Sequence, residues 1–130
     1  MFLQIVIGVF LILHGLVHLL YFGQSARYFE LQPGMTWPDG AWVFSRIMGD
    51  GGTRSLAGGW LILAAVGFAA GGLGVILDQT WWQPIVVMTA LFSSLAYILL
   101  WDGTVHRLHD QGWVGVLINI AILIAVLVYA

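Results

Sequence analysis

Two histidines one helical turn apart, His14 and His18, stand in an otherwise apolar opening segment, in the run His14-Gly15-Leu16-Val17-His18. Imidazole can move a proton, ligate a metal or hydrogen-bond a carbonyl oxygen. In hydrocarbon it loses its water and must find a partner, so such a pair inside a membrane span marks a candidate site. Two further histidines, His106 and His109, share the polar stretch 102–111 with Asp102 and Asp110. Spaced i to i+4 in a helix and i to i+3 in a loop, the four offer two pairs of imidazoles to one metal. Asp102 or Asp110 would serve as a further ligand or as an acceptor behind one. Zinc, iron or copper would suit this set. A haem held by His14 or His18 on one side and His106 or His109 on the other is a second cofactor reading. A quinone ring bonded to histidine is a third. Set against all three stands a fourth reading, in which His14 bonds a carbonyl of a neighbouring helix while His106 and His109 lie in water. No nucleophile is paired with a base anywhere in the chain, which points away from catalysis of its own.

What must position these residues follows from composition. The chain is 61% hydrophobic and 8% charged, with a mean hydropathy of +0.97, far from the balance of a soluble domain. An integral membrane protein is expected, a single domain over residues 1–130 with the lipid bilayer as its solvent. Backbone groups in lipid must be paired internally, so the spans are helices. Cysteine is absent, which removes disulfides, thiolate nucleophiles and iron–sulfur clusters. Lysine is absent as well, which removes Schiff-base chemistry. A net charge of -2 with no basic run gives no sign of a nucleic-acid partner.

Four apolar stretches, at about 2–22, 56–77, 84–101 and 112–130, have roughly the 20 residues a bilayer-spanning helix needs. The first lacks a basic n-region and a small-residue cleavage site, so it reads as a span rather than a signal peptide. His18 falls roughly 6 Å and His14 roughly 12 Å below its end near Phe22. Residues 23–53 form a long connection rich in aromatics, among them Tyr28, Phe29, Trp37, Trp42 and Phe44. Such side chains favour the membrane interface, and residues 41–48 suit a short surface helix. This connection reads either as a lid or docking surface or as a belt that seals the bundle end. The second span is crowded with small residues, including Gly67, Gly71 and Gly74, which let helices approach closely. Ser93 and Ser94 in the third span are expected to bond back to a carbonyl one turn earlier. Asn119 in the fourth reads as interhelical glue.

Up-down-up-down threading brings the 23–53 and 102–111 connections to one side, together with all four arginines. By the positive-inside rule that side is cytoplasmic and both termini are outside. The same threading places the four histidines toward one end of the bundle.

The run Phe10-Leu11-Ile12-Leu13-His14-Gly15-Leu16-Val17-His18-Leu19 resembles the opening helix of small four-span bacterial membrane proteins of the DoxX-like type, which read His-Gly-Leu in the first span. The glycine-rich start of span two, Leu56 to Ala65, is similar to the same group, as are Trp81-Trp82 and Trp101-Asp102. The resemblance implies a four-helix bundle in a bacterial inner membrane and a place among proteins largely without assigned activity. Some of these look like subunits of oxidoreductase assemblies acting on quinone. His14 lies inside the matching motif, whereas residues 105–110 depart from the pattern, so a site using His106 and His109 is not implied by it. Two functions are expected from these readings. One is a non-catalytic accessory subunit of a larger membrane electron-transfer complex, or a homo-oligomer, in contact with quinone or lipid. The other is a membrane redox or metal- or haem-binding protein built on His14, His18, His106, His109 and Asp102.

Overall fold

The computed structural model describes residues 1–129, and the side chains of residues 1–128. Four helices follow one another: α1 (Phe2–Ser25), α2 (Phe44–Ile76), α3 (Trp82–Leu99) and α4 (Trp113–Tyr129), with a short 3-10 turn (Leu108–Gln111) before the last. No strand occurs among the described residues. The first three helices are long and apolar enough to cross a membrane, which makes this an integral membrane protein by length and composition, and α4 is a shorter apolar helix.

Each helix packs on its neighbour in sequence, α1 on α2, α2 on α3 and α3 on α4, with no comparable packing between α1 and α4. The glycines of α2 explain why it sits between its partners. A Cβ on Gly8 would stand 2.7 Å from the Gly72 carbonyl oxygen, and one on Gly72 would stand 2.5 Å from that of Gly8. Backbone therefore lies against backbone, and only glycine fits on either side. On the other face of α2, a Cβ on Gly71 would meet Val86 of α3. The seam between α1 and α4 stays open toward the start of α1. There Ile7, Phe10, Ile122 and Val126 border an apolar cleft of about 610 Å³ with Trp82 and Val86 at its base.

Helix boundaries agree with the expected stretches except at the start of α2, which begins at Phe44 rather than near Leu56. The short surface helix and the second span are continuous across a kink at Gly49, whose φ of 73° and ψ of 173° suit glycine. Helix α1 stops where Arg27 takes a left-handed φ of 64°, with the Tyr28 N–H bonding back to the Gly23 carbonyl.

The connection between α1 and α2 folds back as a plug. Met35, Trp37 and Ala41 are buried, and the Trp37 ring meets Tyr21 and Tyr97 at 5.3 and 5.8 Å between centroids. Two side chains from α1 and its C-terminus hold it there. Gln24, fully buried, donates from Nε2 to the Met35 carbonyl and accepts the Leu31 N–H at Oε1. Arg27 donates to the carbonyls of Gln24, Thr36 and Trp37 and pairs with Asp39 at 2.8 Å. The connection is thus packed and tied down over this end of the bundle.

Candidate functional site

Helical spacing puts His14 and His18 on the inner face of α1, where they are 6% and 1% exposed. Phe68 of α2, fully buried, touches both rings, with centroids 4.7 Å from His14 and 5.4 Å from His18. The polar edges of the imidazoles turn the other way, toward α3 and α4. His14 Nε2 lies 2.7 Å from Asn119 Oδ1. Asn119 Nδ2 lies 3.0 Å from Ser93 Oγ and 3.1 Å from Ser94 Oγ. Ser93 Oγ in turn lies 2.7 Å from His18 Nε2, and His18 Nδ1 lies 2.9 Å from the His14 carbonyl oxygen.

The direction of each bond follows from groups that can only give or only accept. A backbone carbonyl accepts, so His18 carries its proton on Nδ1 and its Nε2 receives the Ser93 hydroxyl. The Ser93 oxygen then accepts from the Asn119 amide nitrogen, which leaves Asn119 Oδ1 to accept from His14 Nε2. Five bonds thus run head to tail from His14 to Asn119, to both serines, back to His18 and onto the His14 carbonyl. Turning the Asn119 amide over would require His18 to donate from both nitrogens and hold a positive charge with no carboxylate beside it, which burial disfavours strongly. Both imidazoles are accordingly neutral, in opposite tautomers.

What this arrangement can do is tie three helices together without leaving a buried donor unpaired. The Ser93 bond corrects an expectation, since its hydroxyl reaches across to α1 rather than back along α3. Thr89, one turn earlier, does make the back-bond, to the Ile85 carbonyl at 2.7 Å. Asn119 acts as the interhelical tie expected of it. Phe68 gave no signal in the sequence beyond being apolar.

The remaining sequence candidates lie elsewhere. His106 and His109 are exposed on the connection between α3 and α4, away from the His14–His18 network. His109 Nε2 faces Asp110 Oδ1 at 3.0 Å, and Asp110 also pairs with Arg107 at 2.9 Å. Asp102 and His106 border a small polar pocket of about 130 Å³ together with Asp39, Asp110 and Gln111. Asp102 Oδ1 accepts from the Thr104 N–H and hydroxyl, both at 2.8 Å, and from Gln111 Nε2 at 3.2 Å. Partial burial pushes the Asp102 carboxyl up, but these bonds, with His106 nearby, outweigh it and hold the group below its ordinary range. Among the described residues no three of histidine, aspartate and glutamate come together in a way that holds a metal ion. The four histidines therefore form two separate groups: the helical pair faces inward, with both nitrogens of His18 and Nε2 of His14 hydrogen-bonded, while the loop pair is exposed. Two tyrosines stand between the pairs: the Tyr21 hydroxyl donates to the His109 carbonyl at 3.2 Å, and the Tyr97 ring meets both Tyr21 and His18. No four-histidine metal centre is therefore assembled among the described residues.

Comparison with known proteins gives no match: no family model, no curated protein and no solved structure is significantly similar to this chain.

Proposed function

We propose that this chain is a non-catalytic accessory subunit of a larger membrane complex of electron-transfer type, contributing a four-span, up-down-up-down bundle to it. One observation carries the reading: the imidazoles that could do chemistry are closed into the ring of His14, Asn119, Ser93 and His18, which serves cohesion. His18, with both nitrogens bonded inside the protein, is a poor base and a poor ligand, and His14 has its one N–H committed to Asn119. The outward faces, by contrast, are apolar along their length. Leu13 and Leu16 of α1 and Leu117 and Ile124 of α4 are all exposed, as lipid-facing or subunit-facing residues must be. Resemblance to the DoxX-like type supports the same reading, and a bacterial inner membrane with it. Arg27, Arg46, Arg54 and Arg107 at one end support an orientation with the long connection in the cytoplasm and both termini outside.

The test is gentle solubilisation from the native membrane, followed by native mass spectrometry, an absorption spectrum in both redox states and elemental analysis. A colourless, metal-free chain in a complex of fixed stoichiometry with other membrane subunits is expected. A chain running alone with a Soret band or a near-stoichiometric transition metal, lost on His14→Ala or His18→Ala, would overturn the proposal.

A further inference from the structure

A second groove, of about 560 Å³, opens on the surface between the end of α1 and the beginning of the apolar part of α2. Arg27, Arg54 and Ser55 line it toward the polar connection, and Phe22, Gly58, Gly59 and Ile62 line its apolar part. No carboxylate lines it. The two arginines are not equivalent. Arg27 is committed to three loop carbonyls and to Asp39. Arg54 reaches Asp39 only through Nε at 3.6 Å, and among the described residues its two terminal nitrogens make no hydrogen bond. Two carboxylates, Asp39 and Asp50, lie near the arginines but do not line the groove. Asp39 is shared by both arginines, and Asp50 accepts the Gly40 N–H at 2.9 Å, outside the groove. An anchored position follows as well, because the Ser25 hydroxyl donates to the Arg54 carbonyl at 3.0 Å and fixes this turn of α2 against α1.

We infer that this groove binds an anionic phospholipid. Its phosphate would take the fork of Arg54, with the Ser55 hydroxyl as a second donor, and one acyl chain would descend over Gly58, Gly59 and Ile62. Three features select a lipid over a soluble anion. Arg54 sits where the polar connection meets the apolar span, at the depth of a headgroup. Directly below it the wall turns apolar with no polar group between. Nothing in the protein fills the space over Gly59, where an added Cβ would meet no atom within 4 Å. Guanidinium is the cation suited to the task, since its planar fork matches two phosphate oxygens.

The experiment uses the full chain in mixed micelles with equal amounts of phosphatidylglycerol and phosphatidylcholine, the retained lipid being counted by native mass spectrometry. Phosphatidylglycerol should be retained preferentially. Arg54→Gln should reduce that preference by about fivefold, the effect of one cation near an anionic lipid surface. Gly59→Phe should displace the lipid by filling the acyl path while leaving Arg54 intact, and Arg46→Gln, on an exposed residue outside the groove, should change nothing. Helical circular dichroism and elution volume report whether each variant folds. Equal retention of the two lipids by the unmodified chain would overturn the inference, as would an unchanged preference in folded Arg54→Gln. Displacement of phosphatidylglycerol by inorganic phosphate, with Gly59→Phe still binding lipid, would overturn it in favour of a site for a free anion.

Discussion

His14 and Asn119 meet at 2.7 Å across the seam between α1 and α4, two helices that otherwise do not pack along their length, and they lie 105 residues apart in the chain. This bond, with that of His18 to Ser93, joins helices in a bundle whose close packing otherwise runs between sequence neighbours. Below it the Trp37 plug fills the end, and beyond it, toward the start of α1, the apolar cleft begins.

Replacing Asn119 by leucine removes the acceptor for His14 and a donor to Ser93. It should lower the free energy of unfolding in detergent by about 1–3 kcal/mol, the penalty for stranding buried polar groups. The double variant His14→Leu with Asn119→Leu should be less destabilised than the sum of the single variants, with a coupling of about 1 kcal/mol. Denaturant titrations of the four proteins check this, and strict additivity would mean that the bond contributes nothing.

The head-to-tail order of the ring fixes which nitrogen carries each proton. In ¹⁵N spectra of the folded protein, His14 should show the Nε2–H form and His18 the Nδ1–H form. Ser93→Ala should perturb the His18 Nε2 resonance strongly. Ser94→Ala should leave it almost unchanged, because Ser94 bonds only Asn119. Identical tautomers for the two rings would contradict the assigned directions.

Close approach of α1 and α2 makes a sharp contrast between two glycines on one helix. Gly72→Val places a side chain against the Gly8 carbonyl and should destabilise the protein by about 1–3 kcal/mol. Gly59→Ala meets no atom within 4 Å and should be neutral or stabilise by about 0.5–1 kcal/mol. Thermal or denaturant unfolding of the two variants decides the point.

Asp102 gives the connection between α3 and α4 a dependence on acid. Its carboxyl is held below the ordinary range in the folded protein, so the unfolded chain takes up the proton first as pH falls. The stabilisation is therefore fully present above the ordinary carboxylate range and disappears as pH drops through the lowered folded value. Protection of the Thr104 N–H against hydrogen exchange should fall in that window, and Asp102→Asn should abolish the dependence. Protection that is flat through the acid range in the unmodified chain would refute it.

Much of this was legible in the chain by itself. Hydrophobic runs of bilayer length dictate helices because lipid leaves the backbone no other way to pair, and the small residues of α2 mark it as the helix that others approach. Asn119 and the His14–His18 pair announce a buried polar contact, because polar groups in hydrocarbon must find one another. The partners were a matter of tertiary structure. Whether Ser93 turns back along its own helix, as Thr89 does, or across to His18 depends on the rotation of α3 against α1, which no local pattern encodes. The separation of His106 and His109 from the helical pair depends on how residues 26–43 fold back, with Gln24 and Arg27 drawing Trp37 into the bundle end. Sequence spacing sets the depth of a residue in the membrane. Helix rotation and loop path set what it meets there, and these are settled by packing among segments distant in the chain.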